Sequence, residues 1–229
     1  MLKIVSWNIQ QGGGSRTLKI ISYLLNSHAE IIVLNEYKHN DNGIKIRTAL
    51  LRAGYLHQAS SHAPSGDNGV LLASKHKFSS TLFHKIDPKY DHCVVKGSFD
   101  AFDIYGVYLP HKKKHILFDF FLENLGETPS IITGDYNTGK NYIDQKGNSF
   151  WYTDELEKLE TQHNYIDAFR KKNGAVKEYS WYSHQGNGYR YDHYYIHPSL
   201  EPILSNCYYD HKAREEKLSD HAPMFMELG

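Results

Sequence analysis

Two cysteines in 229 residues, Cys93 and Cys207, are too few for a disulfide framework. No apolar run is long enough to span a bilayer, which excludes an integral helical membrane protein. No basic segment followed by an apolar one precedes the strand-like Leu2-Lys3-Ile4-Val5-Ser6-Trp7, so a soluble cytoplasmic protein making no membrane contact is expected. Charge of one sign is also missing: 26 Lys and Arg balance 26 Asp and Glu. A polyanion would therefore have to meet a local basic face. Lys112-Lys113-Lys114, Arg170-Lys171-Lys172, and Lys212 with Arg214 and Lys217 are the candidates, and each is equally a solvated face. Repeats, low-complexity tracts and Pro/Gly/Ser-rich linkers are absent, so one domain is expected over residues 1–229, acting as a monomer.

What the chain has instead is 18 Tyr and 15 His. Tyr offers a stacking face and a hydroxyl; His offers a donor, an acceptor or a metal ligand. Apolar spacing predicts helices over 17–26, 44–51, 115–125 and 151–163. Strands are predicted over 2–7, 30–34, 70–74, 93–98, 102–109, 130–133, 191–196, 203–208 and 222–228. Residues 93–98 and 102–109 read as a hairpin with Asp100 in its turn, and strand 130–133 is expected to stop at Gly134. Strands outnumber helices, and helices separate some of them. The pattern predicts two sheets packed face to face with helices outside.

Polar clusters recur where strands end: Asn8, Glu36, Tyr108, Asp135 with Asn137, and Asp220 with His221. Strand ends can converge on one rim, where a sandwich places a site. Glu36 follows the buried-looking Ile31-Ile32-Val33-Leu34-Asn35. Its carboxylate suits a hard cation such as Mg2+, or else simply reaches solvent. Asp135 and Asn137 stand two apart, on the same side if the segment is extended. A carboxylate there can take a proton from an attacking water, and a carboxamide can orient that water. The alternative is an Asx-turn. Asp192 can orient the His221 ring, and an imidazolium so placed stabilises negative charge on phosphorus. Its neighbour His193 faces the other way on a strand and is assigned a structural role.

Taken in order, Ser6-Trp7-Asn8-Ile9, Leu34-Asn35-Glu36-Tyr37-Lys38, Asn68-Gly69-Val70, Val107-Tyr108-Leu109-Pro110 and Gly134-Asp135-Tyr136-Asn137 are followed by Tyr165 to Arg170, Tyr179-Ser180-Trp181-Tyr182, Gly188-Tyr189-Arg190-Tyr191-Asp192 and Ser219-Asp220-His221-Ala222-Pro223. Together they resemble the endonuclease/exonuclease/phosphatase superfamily, and within it the exonuclease III type of abasic-site endonuclease. The resemblance spans nearly the whole chain. It implies an α/β (α+β) fold, a four-layer αββα sandwich of two mainly antiparallel or mixed sheets, and metal-dependent phosphodiester hydrolysis. Carried over, Glu36 is the main metal ligand, with Asn8 near metal and phosphate and Asp220 a further metal or water ligand. The implied ion is Mg2+, with Mn2+ as the alternative. Asp135 positions or deprotonates the nucleophilic water, helped by Asn137, and Tyr108 touches the phosphate. His221, oriented by Asp192, stabilises the phosphate oxygen. Trp181, Tyr189, Arg190 and Lys38 fall at substrate-binding positions, and DNA is the implied partner.

Four departures from the family pattern bear on substrate rather than on the hydrolytic core. Gln10 replaces the usual Asp or Asn, Gln11-Gly12-Gly13-Gly14 replaces a more apolar sequence, Asn35 stands where Gln is usual, and the loop after Pro110 is short. Three functions are therefore carried forward: a Mg2+-dependent DNA nuclease of abasic-site or 3′-end type, a phosphodiesterase or phosphatase acting on RNA, a nucleotide or a lipid headgroup, and an inactive binding module.

Overall fold

The computed structural model describes residues 1–81 and 89–229. In chain order the first elements are β1 (Leu2–Asn8), α1 (Thr17–Asn26), β2 (Ile31–Tyr37), α2 (Asp41–Arg52), β3 (His57–Ser60), β4 (Gly69–Ser74) and β5 (Ser79–Thr81). Then come β6 (Val94–Ser98), β7 (Asp103–Tyr108), α3 (His115–Asn124), β8 (Ser130–Asp135), α4 (Thr153–His163), β9 (Ile166–Asp167) and α5 (Ala168–Asn173). The last are β10 (Trp181–Tyr182), β11 (Gly188–Tyr189), β12 (Asp192–Ile196), β13 (Leu204–Tyr209), α6 (Lys212–Glu215) and β14 (Met224–Leu228).

Two six-stranded sheets form, in the orders β13-β14-β1-β2-β4-β3 and β5-β6-β7-β8-β12-β9. Both are mixed, because β1–β2 and β7–β8 are parallel pairs among antiparallel neighbours. Ile4, Ile31, Val33, Val70 and Leu72 of the first sheet pack against Val95, Ile104, Ile131, Tyr194 and Ile196 of the second. On the first sheet's outer face Val5, Trp7, Ile32 and Leu34 meet Ile20, Leu24, Ile46 and Leu50 of α1 and α2. On the second sheet's outer face Tyr105, Val107 and Ile132 meet Leu117, Phe121, Leu156 and Leu159 of α3 and α4. The layers are thus αββα. Alternate residues of each central strand enter alternate cores, as the period-two geometry of a strand requires. Between the sheets, a Cβ on Gly106 would come within 3.0 Å of Val33 and Val70. Among the described residues, no helix is long and apolar enough to cross a membrane.

The differences from sequence expectation have local causes. Helix α2 starts at Asp41 rather than Ile44 because Asn40 caps it, its Oδ1 accepting from Gly43 N at 3.0 Å. Strand β8 does not stop at Gly134; it continues through it to pair Asp135 with Tyr108 and Asp192. The short strands β3 and β5 and the helix α5 have too few residues to show a period.

Candidate active site

Strand direction assembles one rim. The parallel pairs β1–β2 and β7–β8 bring the C-terminal ends carrying Asn8, Glu36, Tyr108 and Asp135 to the same edge. The antiparallel β12 and β14 begin there, delivering Asp192 and His221. Asn35, buried on β2, ties the two sheets across this edge: its Nδ2 donates to Val107 O at 2.6 Å and its Oδ1 accepts from Asp135 N at 3.2 Å. Gly134 makes that approach sterically possible, since at φ 149° a Cβ would lie 1.8 Å from Val107 O.

Glu36 leaves the strand alternation at a bulge between Asn35 and Tyr37, with φ at 54°. Its half-buried carboxylate accepts from Asn8 Nδ2 at 3.1 Å, Gln11 N at 2.7 Å, Gln11 Nε2 at 3.2 Å and Tyr108 Oη at 3.4 Å. Asn8 Nδ2 also donates to Asp135 Oδ2 at 2.9 Å, while its Oδ1 accepts from Gln10 N at 2.9 Å. Asn8 is therefore a donor bridging two carboxylates, and its amide oxygen accepts from the Gln10 backbone. Two acceptor-only carboxylates force that orientation.

Asp135 is buried. Its Oδ1 accepts from Asn137 N at 2.8 Å, and Asn137 Nδ2 donates to Leu109 O at 2.9 Å. The segment is not extended: Asn137 sits at φ 48°, so the Asx-turn and the convergence of both side chains occur together. Burial raises the proton affinity of Asp135, with the Asp192 charge adding and His221 opposing. His221 Nδ1 lies 2.7 Å from Asp192 Oδ2, and its Nε2 lies 3.9 Å from Asp135 Oδ2. Burial would lower this imidazole, but Asp192 and Asp135 outweigh it and hold the ring protonated. Burial pushes the Tyr108 phenol up, so it keeps its proton and can donate.

Those three residues, Asp135, Asp192 and His221, offer ligand atoms within 4.8 Å of one another. Within this group, His221 hydrogen-bonds Asp192 through Nδ1 at 2.7 Å, and its Nε2 faces Asp135 at 3.9 Å, beyond hydrogen-bond reach. Glu36 suits a cation better. It lies at the accessible rim among carboxylate and amide groups, and both thiols, Cys93 and Cys207, are buried in the cores. That donor set fits a hard ion with oxygen ligands.

Of the remaining predicted residues, Asp220 stands beside His221 but faces elsewhere, its Oδ2 accepting from Trp181 Nε1 at 3.0 Å. Trp181, Tyr189 and Tyr191 form one aromatic wall, with ring centroids 5.4–5.9 Å apart. Tyr189 and Tyr191 also line a cavity of about 210 Å3 with Asn137, Lys114, Phe150 and Trp151. Arg190 does not reach the rim. It is fully buried, donating to Asp144 from Nε at 2.7 Å and Nη2 at 3.0 Å, and to Asp167. Lys38 turns its Nζ to Gln11 Oε1 at 2.7 Å. Lys112 and Lys113 are exposed, whereas Lys114 is buried with Nζ donating to the carbonyls of Tyr136 at 3.1 Å and Asn137 at 2.6 Å. His193 is buried on the far side of β12, its Nε2 2.8 Å from Thr138 O.

Sequence reading missed Gln11, Asn68, Lys114 and Ser219. Asn68 Nδ2 donates to Tyr108 Oη at 3.2 Å, and Ser219 Oγ to Asn8 O at 2.6 Å. Asn68 and Ser219 stand in segments that carry the resemblance, Gln11 among its departures and Lys114 in a basic run, but none has a local signal for these contacts.

The endonuclease/exonuclease/phosphatase family model matches residues 5–221. An exodeoxyribonuclease of Bacillus subtilis is 22% identical, aligned over 97% of this chain and 98% of its own. One from Streptococcus pneumoniae is 24% identical over 99% of both. Among solved structures, an AP endonuclease from Archaeoglobus fulgidus superposes with a TM-score of 0.87 at 22% identity, covering 100% of this chain and 99% of that one. A 3′ phosphatase from Neisseria bound to a product DNA hairpin gives 0.86 at 21% identity, covering all of both chains. With the match running from β1 to His221 and the fold superposing throughout, this chain belongs to the endonuclease/exonuclease/phosphatase family.

Proposed function

We propose that this chain is a Mg2+-dependent DNA nuclease of the abasic-site or 3′-end-processing type. The observation that carries the reading is the rim itself: a buried carboxylate, Asp135, faces an imidazole 3.9 Å away that is backed by Asp192. Beside them stands a wall of Trp181, Tyr189 and Tyr191, a stacking surface for an unpaired sugar or base. The names of the sequence relatives and of the two structural neighbours point the same way.

In this reading Asp135 accepts the proton of the attacking water as the water oxygen bonds phosphorus and the ester P–O bond breaks. A carboxyl whose proton affinity burial raises toward neutrality is suited to that transfer. Asn8 and Asn137 hold the carboxylate by three hydrogen bonds of 2.8 to 3.4 Å. His221 donates from Nε2 to a nonbridging phosphate oxygen, and Tyr108 donates its phenolic proton to another. Glu36, with Asp220 at the margin, would hold the divalent ion. When bound, the ion neutralises phosphate charge and polarises the scissile group.

The test is a panel with Mg2+, with and without chelator: duplex DNA bearing an abasic site, intact duplex, single-stranded DNA, RNA and phosphomonoesters. Chelator-sensitive cleavage of the abasic duplex or of 3′ ends is expected. Cleavage confined to RNA, or to small phosphomonoesters, overturns the DNA reading.

A further inference from the structure

We propose that Gln11 and Lys38 are positioning residues that hold the Glu36 carboxylate ready for a divalent cation; this rests on Glu36 being the ion's ligand. Gln11 reaches Glu36 Oε2 twice, from its backbone N at 2.7 Å and its side-chain Nε2 at 3.2 Å. Its Oε1 accepts from Lys38 Nζ at 2.7 Å. The result is a directed chain, ammonium to amide to carboxylate, in which Lys38 fixes which end of the Gln11 amide faces Glu36. Oε2 is thereby occupied on one side, and Oε1 takes its contacts from Asn8 and Tyr108. A carboxylate anchored at both oxygens loses its rotational freedom before the ion arrives, which is how partners behind a ligand raise metal affinity.

The backbone is built to hold this chain. Gln10 and Gln11 sit at φ 52° and 54°, a region that favours glycine. Gly12 follows at φ 68°, and a Cβ there would press on the Lys38 stem at 3.1–3.3 Å. The turn is pinned by Arg16 Nη2 to Gln10 O at 2.7 Å and Asn42 Nδ2 to Gly14 O at 3.2 Å. A glutamine standing where glycine would be easier is explained by what its side chain touches. Lys38, expected at the substrate, acts here through Gln11.

Gln11→Gly separates the side chain from the fold. Glycine keeps the backbone N–H on Oε2 and suits φ 54°, so the melting temperature should hold. Mn2+ binding, followed by the paramagnetic signal of the free ion with Mg2+ as competitor, should weaken about tenfold. Cleavage should fall at low Mg2+ and recover as Mg2+ is raised. Lys38→Met cuts the other end without touching the Gln11 backbone and should weaken binding in the same direction, whereas Lys38→Arg should restore it. Unchanged Mn2+ affinity in both Gln11→Gly and Lys38→Met overturns the proposal. So does a fall in turnover that no amount of Mg2+ recovers, which would place Gln11 on the substrate. Glu36→Gln separates the two readings: if it binds Mn2+ as the parent does, Glu36 is not the ligand, and the reading beneath the proposal fails with it.

Discussion

Arg190→Met should damage the fold and spare substrate affinity. Arg190 is 0% exposed and shares its guanidinium between Asp144 and Asp167, which are themselves buried. Arg170 also pairs with Asp144. With both arginines present the cluster is neutral, two cations against two carboxylates. Removing Arg190 leaves one buried carboxylate uncompensated, and breaking such a group from one side costs about 3–5 kcal/mol. Total stability is expected at about 5–15 kcal/mol, so the loss is a large share of it. At about 2–4 °C per kcal/mol for a chain of this size, the melting temperature should drop by roughly 6–20 °C. The acid limb should change as well. Asp144 and Asp167 are both held below the usual carboxylate range: burial alone would raise them, but Arg190 more than reverses it. Groups with depressed folded pKa values contribute stability that is fully present above the ordinary carboxylate pKa and is lost as pH falls from there toward the lowered folded value. Arg190→Met should therefore show a flatter decline in stability as pH falls below about 4, the ordinary carboxylate value, measured by urea titration at each pH. The reasoning is refuted if the variant melts with the parent and instead raises KM for the substrate it cleaves, the behaviour of a substrate contact.

Asp135→Asn removes the proposed base and a buried charge together, so single-turnover cleavage should fall about 10²–10⁴-fold while the melting temperature holds or rises; a loss under tenfold would remove Asp135 from proton transfer. Asn35→Ala strands Val107 O and Asp135 N at the sheet junction. It should destabilise by about 1–3 kcal/mol in denaturant titration and slow cleavage with it, and a neutral result would deny the tie between the sheets. His193 is pushed down to about 4 by burial and by Arg190. It stays neutral in the fold while the unfolded chain protonates first, so its contribution is intact above pH 6.5 and declines toward pH 4 by at most about 3 kcal/mol. His193→Gln should flatten that window, and an unchanged pH profile would show that other groups set it.

The αββα layering was legible because each central strand is a short continuous apolar run and each outer helix carries an apolar stripe. Residues near strand ends were legible for the same reason, since an apolar run such as Ile31 to Leu34 gives way to polar residues, although β2 itself continues to Tyr37. Arg190 was misplaced because its partners lie 46 and 23 residues away, and nothing near a Tyr-Arg-Tyr sequence reveals two distant aspartates. Gln11 stands out in sequence only as a departure, because its contact with Glu36 depends on a left-handed backbone that the side-chain pattern does not encode. Helix α5 escaped because six residues, capped by Asp167, are too few to display a helical period.

The chemistry of this rim depends on breaks in the regular structure that supports it. A continuous strand sends neighbouring side chains to opposite faces, into one core or the other, and never sideways along the edge. Glu36 reaches the edge through a bulge and a left-handed residue, and Asn137 through an Asx-turn. Asp220 and His221 precede β14, where no alternation binds them, and they take different partners: Asp220 meets Trp181, and His221 meets Asp192, 29 residues upstream. Adjacent in sequence, they do not form an acid–base dyad. The His221 backbone is fixed independently of its ring, with its carbonyl accepting from Trp7 Nε1 at 2.9 Å and its amide donating to Ser219 Oγ at 3.2 Å. Shortening Trp7 to Phe would delete the first of these without touching the ring's partners. If backbone anchoring sets where Nε2 points, that change alone should lower turnover while leaving KM unchanged. A Trp7→Phe enzyme with parental turnover would show that the Trp7 bond does not set the aim of the imidazole, leaving it to Asp192 and Ser219.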